Sequence, residues 1–169
     1  MADDGFTDPT EHSLWRPLTL LLRSMDAEIG QIYAEARIEG LKPSWVMELI
    51  RLHARGPMTI TELAESVQLT HSAISQKVAA MRSAGLVRTV AGADGRSKQV
   101  VLTAKASRII DLLAAEWRAT QAAVEEIEAE LPYPLSRVVT DLEAVLARTS
   151  FHDRILRHLA QDPDWQPAP

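Results

Sequence analysis

Residues 57–105 read PMTITELAESVQLTHSAISQKVAAMRSAGLVRTVAGADGRSKQVVLTAK, and this stretch decides the fold. Thr59 and Glu62 have the spacing of a capping box, which predicts that a helix begins there. The pattern of that helix breaks at Gln68, and Thr70 is placed to cap a second helix. Each helix has an apolar face, formed by Leu63, Ala64 and Val67 in the first and by Ile74, Val78 and Met81 in the second.

A β-hairpin is predicted after the second helix, which Gly85 closes. Two strand-like runs, Leu86–Val90 and Gln99–Thr103, flank an Asp-Gly pair, and Asp-Gly between such runs is a strong hairpin signal. Helix, tight turn, helix and hairpin in this order predict a winged helix-turn-helix over about residues 57–105. Such a unit can place its second helix in the major groove of DNA.

The segments on either side of this unit are predicted to be helical. An apolar stripe follows helical spacing from Leu14 to Ala36, and a second helix is predicted over Ser44–Arg55. A long helix capped by Thr103 is predicted to continue to about Leu131. Two further helices are predicted, over 135–148 and from Ser150 onward.

The predicted fold class is mainly α with one small β-hairpin wing. The winged helix-turn-helix is embedded between long N- and C-terminal helices, whose apolar stripes exceed what the central unit can cover. That excess predicts a homodimer. The expected segments are a flexible arm over 1–12, one domain over 13–160 with dimerisation helices at 13–40 and 104–160, and a disordered tail over 161–169.

Composition excludes several classes of protein. The 169 residues include no cysteine, no apolar run near the ~18 residues of a membrane span and no N-terminal secretory signal. We therefore expect an intracellular, cytoplasmic protein without membrane contact, and the 14 arginines against 4 lysines are typical of a GC-rich bacterial genome. No phosphate-binding glycine loop, nucleophile elbow or zinc-protease motif is present, so we predict no enzyme activity, cofactor or metal site.

The formal net charge of -5 conceals a basic centre. From Arg51 to Arg108 there are nine basic residues against three acidic ones, so this segment carries a charge of +6. A basic centre in an acidic protein is typical of a surface that binds a polyanion, and uneven scatter of surface charge is the alternative explanation.

The second helix of the unit has an outward face suited to base edges. Ser72 and Gln76 lie nearly opposite the apolar face and Ser75 lies alongside, with no acid among them. Short polar groups can approach base edges closely and form hydrogen bonds there. Lys77 lies nearer the core edge, so we expect its stem to pack and its head to reach phosphate. Other candidates for phosphate contact are His71, Arg82, Arg88 and Lys98.

These residues resemble the MarR (multiple-antibiotic-resistance) family of winged helix-turn-helix transcription factors. The resemblance covers about residues 60–105 and rests on Leu63-Ala64, Ile74-Ser75, Met81, Gly85-Leu86-Val87-Arg88, Asp94-Gly95-Arg96-Ser97-Lys98 and Leu102-Thr103. It implies that Arg96 enters the minor groove and that Asp94 stabilises the wing through an ion pair. Gln68 departs from the family pattern, because glycine is commoner at this position of the turn, and a differently shaped turn is expected.

The resemblance also implies partners. It implies a homodimer, most often a repressor, that binds pseudo-palindromic double-stranded DNA under the control of a small aromatic or anionic molecule. The aromatic residues on the helices that would frame the ligand pocket are Trp15, Tyr33, Trp45 and Trp117, and packing in the core or the dimer is the alternative role for each. Two other functions stay open: a helical adaptor that uses the winged fold for protein–protein contact, and a small enzyme on a helical scaffold.

Overall fold

The computed structural model describes residues 8–92 and 97–166. The chain divides into two compact units, Met1–Ala115 and Glu116–Pro169. The described helices are α1 (Arg16–Glu35), α2 (Val46–Arg55), α3 (Ile60–Ser66), α4 (His71–Ser83), α5 (Ala104–Ser107), α6 (Ile110–Glu130), α7 (Leu135–Arg148) and α8 (Phe151–Leu159). The strands β1 (Val87–Ala91) and β2 (Lys98–Leu102) form an antiparallel hairpin, so the predicted mainly helical class with one hairpin is confirmed.

Several predicted boundaries differ from those of the structure. Each strand is displaced by one residue from its predicted run, and α1 ends at Glu35. The long helix predicted after Thr103 is two helices, because the chain turns at Arg108 and Ile109 between α5 and α6. Single turns of 3-10 helix occur at Pro9–Glu11, within the predicted arm, and at Pro43–Trp45, where the sequence predicted the start of α2.

The core of the first unit lies beneath α4 and the hairpin. Side chains from α2, α3, α4 and the two strands are almost inaccessible to solvent: Leu49, Leu63, Ile74, Met81, Leu86, Val87 and Val100. Met58 pairs with Val100 of β2 as an isolated antiparallel bridge. Its backbone N–H donates to the Val100 carbonyl at 3.2 Å, and its carbonyl accepts from the Val100 N–H at 2.7 Å. The hairpin is thereby attached to the segment that leads into α3.

The predicted capping box at the start of α3 is confirmed. The backbone N–H of Thr59 donates to Glu62 Oε2 at 2.7 Å, and the backbone N–H of Glu62 donates to Thr59 Oγ1 at 3.2 Å. The first of these bonds is the main reason why the pKa of the Glu62 carboxyl lies below its usual value, because it stabilises the charged form. The start of the helix-turn-helix is therefore fixed by residues three positions apart in the sequence.

The turn between α3 and α4 depends on a left-handed residue. Gln68 has a φ of +55°, the region that favours glycine, and its N–H donates to the Glu65 carbonyl at 3.2 Å. Glutamine thus adopts here the conformation for which glycine is suited, and the expectation of a differently shaped turn stays a prediction. The Cβ atom of Gln68 makes that conformation unfavourable by about 1–2 kcal/mol.

The second unit contains the remainder of α6 with α7 and α8. Glu128 of α6 accepts hydrogen bonds from the backbone N–H groups of Leu135 and Ser136 and so caps α7. Arg154 of α8 donates to the carbonyls of Val145 and Thr149, at 3.3 and 3.1 Å, which satisfies the C-terminal end of α7. The predicted start of α8 is confirmed, because Ser150 Oγ accepts from the backbone N–H of Asp153 at 3.0 Å.

We predict that Gln68→Gly stabilises the protein. Glycine adopts the left-handed conformation without a Cβ penalty, and its extra freedom in the unfolded chain offsets part of the gain, leaving about 0.5–1 kcal/mol. Urea unfolding followed by circular dichroism measures the difference. Gln68→Ala is the control: it also removes the side chain but keeps Cβ, so an equal gain with alanine would attribute the effect to the side chain and contradict the explanation.

Candidate nucleic-acid interface

Helix α4 separates a buried apolar face from an exposed polar one, as the sequence predicted. Ile74, Val78 and Met81 are buried, while His71, Ser72, Gln76 and Arg82 are exposed and Ser75 is half-buried. The side chains of Ser72 and Gln76 form no hydrogen bond with other residues in the described part of the chain. The helix contains no acidic residue. Its outward face therefore offers free hydroxyl and amide groups without a repulsive charge.

Lys77 has a different environment from the one predicted. Its Nζ donates to Glu48 Oε1 at 2.6 Å and to the Ser44 carbonyl at 2.7 Å, and its side chain is 27% exposed. Its stem packs as expected, but its head is turned towards α2 rather than towards solvent. The ammonium group that was predicted to contact phosphate is thus paired with the Glu48 carboxylate.

The hairpin carries two exposed cations. Arg88 on β1 is opposite Val101, and Lys98 on β2 is opposite Ala91. Neither Arg88 nor Lys98 forms an ion pair with a residue of 8–92 or 97–166. Asp94 and Arg96, which the resemblance assigns to wing stability and minor-groove contact, lie outside the described residues.

Polar contacts fix both ends of α4. Thr70 Oγ1 accepts from the backbone N–H of Ala73 at 3.2 Å, which confirms the predicted cap. At the other end, Gly85 has a φ of +72° and Thr103 Oγ1 donates to its carbonyl at 2.7 Å. Lys105 Nζ donates to the Ala84 carbonyl at 3.1 Å. A helix terminus with its carbonyls satisfied in this way cannot easily fray or tilt.

The four aromatic ligand candidates have different surroundings. In the first unit, Trp15 is 61% exposed and Trp45 is buried with the Lys42 ammonium 5.3 Å from its ring centroid. Tyr33 is buried and lines an open cavity of about 540 Å³ at the end of α1, together with Arg37 and Ile38. In the second unit, Trp117 is half-buried. Tyr33, Arg37 and Glu39 therefore line the same cavity.

The structure adds functional residues that the sequence predictions missed. Glu48 was not singled out, although it lies three residues after Trp45 and four before Leu52 on the apolar stripe of α2. A charged residue within such a stripe indicates a buried charge that needs a partner. No sequence pattern indicated the role of Lys105, because its contact with the Ala84 carbonyl joins residues 21 positions apart that the hairpin brings together.

No group of three or more histidine, aspartate or glutamate side chains within 8–92 and 97–166 is arranged to hold a metal ion. No helix in the same part of the chain is long and apolar enough to cross a membrane.

The arrangement of α3, α4 and the hairpin defines a winged helix-turn-helix protein, and solved structures share its fold. A MarR protein from Peptoclostridium difficile is 16% identical over 88% of this chain and 94% of its own, with a TM-score of 0.55. S. aureus MepR in a complex with DNA is 13% identical over 82% and 97%, with a TM-score of 0.58. The M. tuberculosis transcriptional regulator MOSR in complex with DNA is 22% identical over 80% and 99%, with a TM-score of 0.56.

Sequence comparison finds a family match for the central part of the chain. Residues 39–97 match the model of the MarR family, and no curated protein matches the chain. The match covers α2, α3, α4 and β1, and it includes the residues that carried the resemblance in the sequence up to Ser97, but not Lys98, Leu102 and Thr103. The resemblance to the MarR family is therefore confirmed over this central part of the chain, and the fold is that of a winged helix-turn-helix protein.

Proposed function

We propose that this protein is a DNA-binding transcriptional regulator, and specifically a homodimeric repressor of a pseudo-palindromic operator that responds to a small molecule. The observation that carries the proposal is the exposed face of α4, on which free polar groups and no acid stand outward from a buried core. The match of residues 39–97 to the MarR family model supports it. Homologous folds have been determined with DNA bound, in MepR and MOSR.

In this proposal α4 lies in the major groove. Ser72, Ser75 and Gln76 contact base edges, because hydroxyl and amide groups can donate and accept hydrogen bonds there. Phosphate contacts come from His71 near the start of α4, from Arg82 near its end and from Lys98 on the hairpin. Arg96 and Asp94 keep the minor-groove and wing-stabilising roles that the family resemblance implies.

We predict that Gln76→Ala and Arg82→Ala weaken DNA binding in different ways. Gln76→Ala should reduce the preference for the base pair at one half-site position by about 1–3 kcal/mol, because it removes a base contact. Arg82→Ala should weaken binding to all sequences and reduce the slope of log affinity against log salt by about 1, because it removes a phosphate contact. Fluorescence anisotropy with duplexes from the gene's upstream region, across a salt series, measures both effects.

Matched controls come from the exposed face of α6. Gln121→Ala and Arg118→Ala remove the same side chains from exposed positions that are not part of the helix-turn-helix, and should leave affinity and salt slope unchanged. Loss of binding in the controls would contradict the assignment of the interface to α4. If the wild-type protein binds no duplex at low salt, the adaptor function takes first place, since a protein–protein interface need not depend on counterion release.

The homodimer is supported by apolar surface that the monomer leaves exposed. In the first unit α1 exposes several large side chains, and in the second unit α7 and α8 do the same: Leu18, Leu21, Leu22, Val138, Val139, Leu142, Ile155 and Leu156. An apolar helix face that is left exposed usually marks an interface. A two-fold dimer would place two copies of α4 about 34 Å apart, one turn of DNA, and thus predicts a pseudo-palindromic operator.

We predict that Leu142→Glu dissociates the dimer. The charge would be desolvated at an apolar interface, which is strongly unfavourable. Light scattering coupled to gel filtration should give twice the chain mass of 18.7 kDa for the wild type and a single chain for the variant. Ala144→Glu, on the opposite side of α7, is the control and should remain dimeric. A wild-type mass of 18.7 kDa at micromolar concentration would contradict the dimer.

The proposed effector is an aromatic or anionic small molecule. The cavity that Tyr33 and Arg37 border supports this choice, since an aromatic ring and a guanidinium suit an aromatic acid. We predict that benzoate, as the probe, changes the affinity for the operator and that Arg37→Gln reduces this response without changing affinity in its absence. An unchanged anisotropy curve with benzoate at millimolar concentration would contradict this class of effector and leave the DNA-binding proposal intact.

A further inference from the structure

The ion pair between Glu48 and Lys77 joins α4 to α2. Glu48 is the third residue of α2 and Lys77 is the middle residue of α4, 29 positions later in the chain. Their side-chain atoms are 2.6 Å apart, and the same ammonium donates to the Ser44 carbonyl at 2.7 Å. One cation therefore bonds to two points at the start of α2.

Glu48 depends on this single cation. Its side chain is 1% exposed, and its Oε2 has no hydrogen-bond partner in the described part of the chain. A buried carboxylate that loses its partner is strongly unfavourable, because desolvation is no longer offset by the attraction of the opposite charge. Each orientation of α4 that separates Lys77 from Glu48 is disfavoured for the same reason.

We propose that Lys77 and Glu48 are positioning residues that fix the rotation of α4 about its axis and thereby the orientation of Gln76 and Ser72. This inference rests on the proposed DNA-binding function and assigns Lys77 a role through α2 rather than a phosphate contact. Lys77 is the residue next to Gln76, so a change in its anchoring turns the neighbouring side chain. Glu48 is buried and cannot touch DNA, which makes it a clean probe of this role.

The test compares Lys77→Met, Glu48→Met and the double variant in operator titrations across a salt series. Each single variant should weaken operator binding by about 2- to 30-fold, the range for residues that act without ligand contact. The double variant should regain most of the affinity, because an apolar pair of similar length can replace a buried ion pair. The salt slope should stay unchanged in all three, since no phosphate contact is lost.

Arg82→Met is the matched control for a direct contact. It should lower the salt slope by about 1, and adding Glu48→Met should not restore its affinity. If Lys77→Met lowers the slope by the same amount and the double variant is not rescued, Lys77 contacts phosphate and the inference is overturned. Unchanged affinity in Lys77→Met also overturns it.

Folding is checked by circular dichroism and urea unfolding. Where Lys77→Met does not fold, Glu48→Gln supplies the test, because it keeps the shape and an acceptor for Lys77 while removing the charge. It should weaken operator binding with an unchanged salt slope, and unchanged affinity would overturn the inference. If the wild-type protein binds no duplex at all, the proposed function fails, whereas wild-type binding with an unrescued double variant overturns the positioning role alone.

Discussion

The burial of Ile74, Val78 and Met81 is the interaction on which the exposed polar face of α4 depends. These three side chains are almost inaccessible, and burying each contributes about 1.5–3 kcal/mol. A rotation of α4 by one residue would move polar side chains into the core and expose the apolar ones. The net value of a surface hydrogen bond, about 1 kcal/mol, is too small to offset that change. The apolar core therefore decides which face of α4 is outward.

Apolar contacts set the face but tolerate small rotations, because they have no direction. Directional contacts restrict the remaining freedom of α4 at three points: Thr70 caps its start, Lys77 holds its middle, and Thr103 bonds to Gly85, two residues after its end. The Thr103 hydroxyl donates to the carbonyls of Gly85 and Leu86, at 2.7 and 3.2 Å, and accepts from the Ala106 N–H. It thus connects the end of α4 with the start of α5 across the hairpin. Burial thus decides which face of α4 is outward, and the hydrogen bonds limit how far α4 can rotate from that orientation.

Local signals explain how much of this could be predicted from the sequence. The capping box at Thr59 and the bounds of α7 rest on residues within one or two helical turns, and both predictions are confirmed. The break between α5 and α6 was missed, because alanine-rich sequence around Ala106 favours continuous helix and gives no stop signal. The contact between Glu48 and Lys77 joins residues 29 positions apart, so no local pattern specifies it. The roles of the predicted DNA-contacting residues stay predictions.

The structure also changes the meaning of the basic centre. The count of +6 over residues 51–108 includes Lys77, whose charge is neutralised by Glu48, a residue just outside that range. Lys105 donates to a backbone carbonyl and is directed towards the end of α4. Within α4 and the two strands, the exposed cations apart from Lys77 are Arg82, Arg88 and Lys98, with His71 at the start of α4. Because charges are screened within about 8 Å at physiological ionic strength, this local set matters more than the net charge of -5. In the proposed function the preference for one DNA sequence comes from the short polar side chains of α4, and the contacts of Thr70, Lys77 and Thr103 keep these side chains in place.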